Sequence, residues 1–267
     1  MPTFAIAAFY RFLPLSDLPS LRGCLHGICV VQGIKGTLLL APEGLNGTLA
    51  GSPAGLATAL DVIRDAVGCL DLRPRMSVHD AQPFGRLKVR IKREIVTLGI
   101  PGTDPTRRTG TPVSPRAWNE LLSNPAIHVL DVRNGFEHAL GTFAGAIDPR
   151  TAAFGDFPAY VRRTLDPARH KAVAMFCTGG IRCEKASAFM LDQGFETVYQ
   201  LEGGILAYLD EVPERESQWQ GGCFVFDERG AVGPGLRPVP VRLCQTCSGP
   251  LPLSAGGQSL RCEACDG

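Results

Sequence analysis

Apolar positions along the first hundred residues recur in short alternating runs broken by helix-like stretches. Phe4 to Leu13 reads as a strand, Asp17 to Cys24 as the opening of a helix, and Gly36 to Gly51 as a strand bent at Pro42-Glu43-Gly44. Ser52 caps a helix that has Pro53 at its first position, and Leu56, Leu60, Ile63 and Val67 give that helix one apolar face. Two more strands follow, Asp71 to His79 and Arg86 to Gly99. The predicted order, β-α-β-α-β-β, is that of a ferredoxin-like (acylphosphatase-like) α+β sandwich over residues 1–100, an antiparallel sheet with helices on one face. In the last strand the alternation is strict. Leu87, Val89 and Ile91 are expected to face the core, leaving Arg86, Lys88, Arg90 and Lys92 as a cationic stripe on the other face. Charged strand faces also discourage edge aggregation, but four bases without an acid exceed that need and point to a polyanion.

Residues 101–115 hold four prolines, two glycines and four threonines, the composition of a linker. A different rhythm occupies 116–217. Ser114-Pro115 opens a helix through Trp118 to Leu122, Ile127 to Val132 is a buried strand, and Ala172 to Phe176 is another. A helix-like stretch from Glu184 to Gln193 stops at Gly194, Val198 to Leu201 is a strand, and Glu202-Gly203-Gly204 leads into a helix from Ile205. Strands alternating with helices predict a parallel α/β sheet, whose ligand site lies at the carboxyl ends of its strands.

The remainder, 218–267, is rich in Gly and Pro and poor in apolar residues. It carries Cys244-x-x-Cys247 and Cys262-x-x-Cys265 with 14 residues between the pairs. Four thiolates so spaced can close a tetrahedral structural zinc site, and a segment this small needs such a staple. Two redox CxxC pairs would instead call for a surrounding βαβ unit.

Composition is ordinary for a globular chain of 267 residues, 45% hydrophobic and 20% charged, and the length suits about two domains. No apolar run has the length of a membrane span, and Met1-Pro2-Thr3-Phe4 lacks the features of a signal peptide, so a cytoplasmic protein is expected. Ten cysteines, six scattered and four paired as CxxC, fit chemistry and metal binding better than a disulfide framework. The net charge of +1 conceals an asymmetry: +5 over residues 1–112, −4 over 113–217 and zero beyond. A polyanion would therefore be gripped by the first domain.

The richest chemistry lies in Cys177-Thr178-Gly179-Gly180-Ile181-Arg182-Cys183, between a predicted strand and a predicted helix. Two glycines let the backbone curl so that its N–H groups converge, and a helix N-terminus adds positive potential. A thiol at Cys177 should then ionise more readily than a free cysteine. A cysteine used only for packing needs neither the Gly-Gly turn nor the arginine. Cys183, in the first helical turn, fits core packing or a resolving, sulfur-accepting role equally. His26, His79, His128, His138 and His170 share no ligand spacing, and the chain has no Walker A loop and no flavin or nicotinamide fingerprint.

The loop from Cys177 to Arg182 is of the rhodanese type. It is one residue shorter than that of phosphatase-like relatives and suited to one sulfur atom, carried as a persulfide. Over its whole length the chain resembles the rhodanese-domain tRNA uridine hydroxylases, which oxidise the wobble uridine to 5-hydroxyuridine with dioxygen. The resemblance rests on Ala41-Pro42-Glu43-Gly44-Leu45-Asn46-Gly47-Thr48, Leu87-Lys88-Val89 through Glu94-Ile95-Val96, and Asp104-Pro105-Thr106. It continues through Phe176 to Ala186, Leu201-Glu202-Gly203-Gly204-Ile205, Glu211-Val212-Pro213 and Cys223-Phe224-Val225-Phe226-Asp227. It implies a tRNA partner, dioxygen as cosubstrate and Cys177 as the catalytic residue. Phe136-Glu137-His138 departs from the aromatic residue that rhodaneses usually show directly after the glutamate, a change expected to touch packing rather than chemistry. From the residues alone, persulfide sulfur transfer and a non-catalytic RNA-binding adaptor remain alternatives.

Overall fold

The computed structural model describes residues 3–244, 246 and 250–251. They fall into two compact units that divide between Thr97 and Leu98.

The first unit is built as β1 (Phe4–Phe12), α1 (Leu18–Val31), β2 (Lys35–Ala41), β3 (Gly44–Gly51), α2 (Pro53–Val67), β4 (Arg75–His79) and β5 (Leu87–Ile91). The stretch expected as one bent strand is a hairpin. Pro42 and Glu43 form its turn, and Gly44 has φ +143, with its Cα so close to the Arg11 carbonyl that no Cβ would fit. The order is therefore β-α-β-β-α-β-β. Strands lie as β4-β1-β3-β2-β5, antiparallel except that β5 runs parallel to β2 along one edge. The sheet is thus mixed rather than wholly antiparallel. Ser52 caps α2 through a bond from the Gly55 N–H at 3.1 Å, and Leu56, Leu60, Ile63 and Val67 are buried against Leu25, Cys29, Leu38 and Leu49.

β5 ends at Ile91, well short of Gly99. Val89 is buried and Leu87 half-buried, but Ile91 is 41% exposed, against expectation. An edge strand of five residues has a neighbour on one side only, so its last apolar residue gains little cover. Arg86, Arg90 and Lys92 are exposed and Lys88 is half-buried.

The second unit carries the parallel sheet β6-β10-β9-β7, formed by β6 (Thr111–Val113), β7 (His128–Asp131), β9 (Ala172–Phe176) and β10 (Thr197–Leu201). β6 lies inside the stretch expected to be a linker. Pro112 is tolerated there because β6 pairs only with β10, at the sheet edge. The helices are α3 (Pro115–Leu122), α4 (Gly135–Leu140), α5 (Phe157–Thr164), α6 (Ile181–Asp192) and α7 (Gly204–Glu211), with β8 (Gly141–Phe143) following α4 directly. α6 starts three residues earlier than predicted, so Ile181, Arg182 and Cys183 form its first turn, after Gly180 at φ +98.

The segment after α7 also departs from its predicted poverty. β11 (Trp219–Gly221) pairs antiparallel with β8, and β12 (Cys223–Phe224) pairs with β13 (Ala231–Val232). Cys223, Val225, Val232 and Leu236 are buried with Trp118, Phe143, Phe176, Ile205 and Tyr208 in one core. The segment 219–236 thus contributes buried side chains to the second unit's core. Of the four predicted zinc ligands, Cys244 is buried; Cys247, Cys262 and Cys265 lie outside the described residues.

Candidate active site

β9 runs through Val173, Ala174, Met175 and Phe176, all buried, and delivers Cys177 to the carboxyl end of the sheet. The thiol is fully buried and accepts a bond from the Gly180 N–H at 3.1 Å. Burial pushes its pKa up. The Cys183 thiol hydrogen-bonded to it, the Arg182 charge and the N–H groups of Cys183 and Arg182 outweigh that and pull it down to about 6. The first turn of α6 thus faces the sulfur, as an N-terminus should to favour an anion. Cys183, buried beside the anion it donates to, has its own pKa raised well above that of an ordinary thiol by burial and by its bond to Cys177. The loop therefore holds one thiolate and one thiol.

Arg182 does not point at the sulfur alone. Its Nη1 and Nη2 donate to the two Glu137 carboxylate oxygens at 2.7 and 2.8 Å, a bidentate pair in which Glu137 is fully buried. Thr178 Oγ1 also donates to Glu137 (3.3 Å), and Arg182 Nη2 donates to Thr178 Oγ1 at 3.1 Å. Although burial raises the Glu137 pKa, the Arg182 charge and its hydrogen bonds outweigh it and hold the carboxyl below the usual range. Arg133 makes the parallel clamp one layer deeper. Its Nε and Nη2 donate to Asp131 at 2.8 and 2.5 Å and Nη2 also to the Gly141 carbonyl, with the guanidinium 5.2 Å from the Trp219 ring and 5.8 Å from Phe176. Both arginines hold structure in place.

The floor of the loop is fixed by α7. The Ile205 and Leu206 N–H groups donate to the carbonyls of Cys177 (2.9 Å) and Thr178 (3.0 Å). Gly204, at φ +65, lies against the loop so closely that a Cβ would stand 2.5 Å from the Cys177 oxygen and 2.6 Å from that of Thr178.

Cys177, Thr178, Gly179, Gly180, Ile181, Arg182 and Cys183 form one continuous turn from the end of β9 into α6. Three contributors were not singled out from sequence. Glu137 stood there only as part of a pattern. Gly204 was read only as a helix start. Cys223 is buried within reach of the charges on Arg133, Glu137, Asp131 and Arg182, and its thiol is pushed up to about 12, chiefly by burial. Its position has no local signal. His128 and His170, unrelated in sequence, meet with ring centroids 4.7 Å apart, away from any third ligand type among the described residues.

A cysteine at the carboxyl end of a parallel strand, curled over a helix N-terminus and braced by a buried Arg–Glu pair, defines a rhodanese-like unit. Residues 114–211 match the rhodanese-like domain and residues 4–95 the UPF0176 acylphosphatase-like domain. Among solved structures, a rhodanese-like domain from Anabaena sp. is 21% identical and covers 42% of this chain and 80% of its own, at a TM-score of 0.35. An acylphosphatase from Coxiella burnetii is 5% identical and covers 33% of this chain and 92% of its own, at 0.23. A curated relative from Jannaschia sp. (strain CCS1), a tRNA uridine(34) hydroxylase, is 50% identical over 248 residues, 93% of this chain and 82% of the relative. The chain belongs to the tRNA uridine(34) hydroxylase family.

Proposed function

We propose that the protein is a tRNA-modifying oxidoreductase that hydroxylates the wobble uridine at C5, with dioxygen as cosubstrate and Cys177 as the catalytic residue. The observation that carries this reading is the 50% identity to a tRNA uridine(34) hydroxylase, which spans both units rather than the rhodanese-like loop alone. Supporting it, the Cys177 sulfur is ionised at neutral pH and therefore nucleophilic. Addition of that thiolate to uracil C6 makes C5 electron-rich. One oxygen atom of dioxygen then joins C5, the other leaves as water, and two electrons and two protons come from an external thiol reductant that ends as a disulfide. Loss of the C5 proton expels the thiolate and restores the ring.

The remaining assignments follow from residue placement. Thr178, Gly179, Gly180, Ile181, Arg182 and Cys183 shape and charge the loop. Arg86, Lys88, Arg90 and Lys92 would hold tRNA phosphates, supported by the exposure of three of them. Cys244, Cys247, Cys262 and Cys265 would hold a structural zinc, a donor set of four thiolates that suits that metal. Among the described residues no helix is long and apolar enough to cross a membrane, and a cytoplasmic setting agrees with a tRNA substrate.

Persulfide sulfur transfer is a second reading, favoured by the four-residue spacing between Cys177 and Arg182, a short loop that suits a single sulfur atom. Nucleoside mass spectrometry of tRNA from cells with the gene, without it, and with Cys177→Ser separates the two. Hydroxylated wobble uridine should vanish in both deficient strains. Loss of a thiolated nucleoside instead would support sulfur transfer, and unchanged hydroxylation with Cys177→Ser would remove the cysteine from the reaction.

A further inference from the structure

Among the described residues of the second unit, two large hydrophobic side chains are exposed, and both are phenylalanines: Phe136 at 39% and Phe226 at 69%. They are not scattered. Each meets the buried ring of Phe224 edge-on, with centroids 5.4 and 5.0 Å apart and interplanar angles of 89° and 85°. Phe224 itself packs with Leu140 and Ala231, so the three rings form a ladder anchored in the protein at its middle rung.

One end of this ladder and its middle rung are tied to the loop by their chain neighbours. Phe136 is the second residue of α4, directly before Glu137, which binds Arg182 and Thr178. Phe224 follows Cys223, whose buried thiol feels the charges of Arg133, Glu137 and Arg182. Phe226 is presented by a rigid turn between β12 and β13. The Val225 N–H bonds the Gly230 carbonyl at 3.0 Å, and Asp227 and Arg229 are joined by two parallel bonds of 2.8 and 2.7 Å with both side chains nearly buried. A turn so tied down holds an apolar ring in water where a freer one would fold it away. Single exposed apolar residues need no explanation, but two linked rings, one of them next in the chain to the Glu137 that braces the loop, suggest a ligand.

We propose that Phe136 and Phe226 are a stacking subsite for the nucleobases that flank the target uridine. The proposal rests on the tRNA reading above and adds to it the part of the substrate that the second unit grips. Bases of a single-stranded loop are unpaired and offer flat π-faces, and proteins bind such bases by stacking them on aromatic side chains. Every base has such a face, so the subsite tolerates different anticodons. The rings are pre-set by Phe224 and by the Asp227–Arg229 pair, so a base docks with little further ordering of the protein.

The test uses the full-length protein, whole tRNA and an anticodon stem-loop. Phe226→Leu and the double variant with Phe136→Leu keep apolar bulk but lose the π-face. They should raise KM for tRNA roughly tenfold or more while kcat changes little. Phe226→Tyr should stay close to wild type, which a purely packing role would not require of it over Leu. With the wild-type protein, an abasic nucleotide beside the target uridine should weaken stem-loop binding by a similar factor, and the leucine variants should lose that sensitivity. A wild-type KM in the leucine variants, or an abasic penalty that persists in them, overturns the subsite. So does a change in self-association by sedimentation with KM intact, which would make the patch a contact between copies. Failure of the wild-type protein to hydroxylate tRNA would instead count against the underlying function, and the subsite would then be judged from the stem-loop binding differences, which need no turnover.

Discussion

Replacing Cys183 by alanine isolates what its thiol does for Cys177. Cys183 is the foremost group that lowers the Cys177 pKa against burial, and it acts as a hydrogen-bond donor to the sulfur anion. A hydrogen bond to a charged group contributes about 1.5–3 kcal/mol, and 1.36 kcal/mol corresponds to one pKa unit, so its loss should raise the pKa by roughly 1–2 units. Cys177 would then titrate near 7–8 rather than about 6. At pH 7 the ionised fraction should drop from about nine-tenths to between about one-half and one-tenth. Ultraviolet absorbance of the thiolate, taken as the difference from Cys177→Ser, reads the titration directly. The pH profile of hydroxylation should move alkaline by the same interval. Cys183→Ser retains a donor and should keep the pKa near its native position, whereas alanine should not. An alanine variant that titrates with the wild type would show that the Arg182 charge and the backbone N–H groups suffice and that the Cys183 bond carries no weight. The linkage has a fixed sign. Because the native pKa lies below the free value of about 8.5, ionisation stabilises the fold above that pH, and the contribution fades as pH falls toward 6. In the alanine variant the fading window should narrow to roughly one unit.

Three further outcomes are expected. Replacing Arg86, Lys88, Arg90 and Lys92 by alanine should weaken tRNA binding and flatten its log–log salt dependence by about 0.7 to 0.9 for each phosphate no longer neutralised, with Cys177 reactivity unchanged; an unaltered slope would leave the stripe a solvated sheet face. Gly204→Ala meets both a left-handed backbone and the carbonyls of Cys177 and Thr178, so it should cost about 2 kcal/mol or more in thermal unfolding and raise the Cys177 pKa as the loop shifts. Metal analysis of the purified protein should find roughly one zinc per chain with Zn–S near 2.3 Å, and a stably folded metal-free protein would count against the four-cysteine site.

What sequence made legible was local. The Ser52-Pro53 cap, the apolar face of α2 and the Gly-Gly turn after Cys177 each report a constraint satisfied within a few residues, and each lies where expected. The misreadings came where the deciding partner is distant. Pro42-Glu43-Gly44 looks like a bend until β3 pairs back on β2, since a tight hairpin and a kinked strand share the same residues. Thr111 to Val113 has linker composition, and only its pairing with β10 makes it a strand. Glu137 and Arg182 are 45 residues apart, so neither reveals the other.

The longest-range case is the segment after α7, and it bears on what separates this protein from a sulfur carrier. The loop, its helix N-terminus and the Arg182–Glu137 brace lie within the matched residues 114–211. Trp219, against the Arg133 guanidinium, and Phe224, against Phe136, come from beyond that match. Trp219 is tied in through the pairing of β11 with β8 and by packing on the core that holds Phe143 and Phe176, and Phe224 by packing with Leu140 and Ala231. The segment therefore changes the surroundings of the loop without changing the loop. A thiolate at about pKa 6 is competent for either chemistry. What residues 219–236 add to the matched domain is this packing, with Trp219 against Arg133 and Phe224 against Phe136.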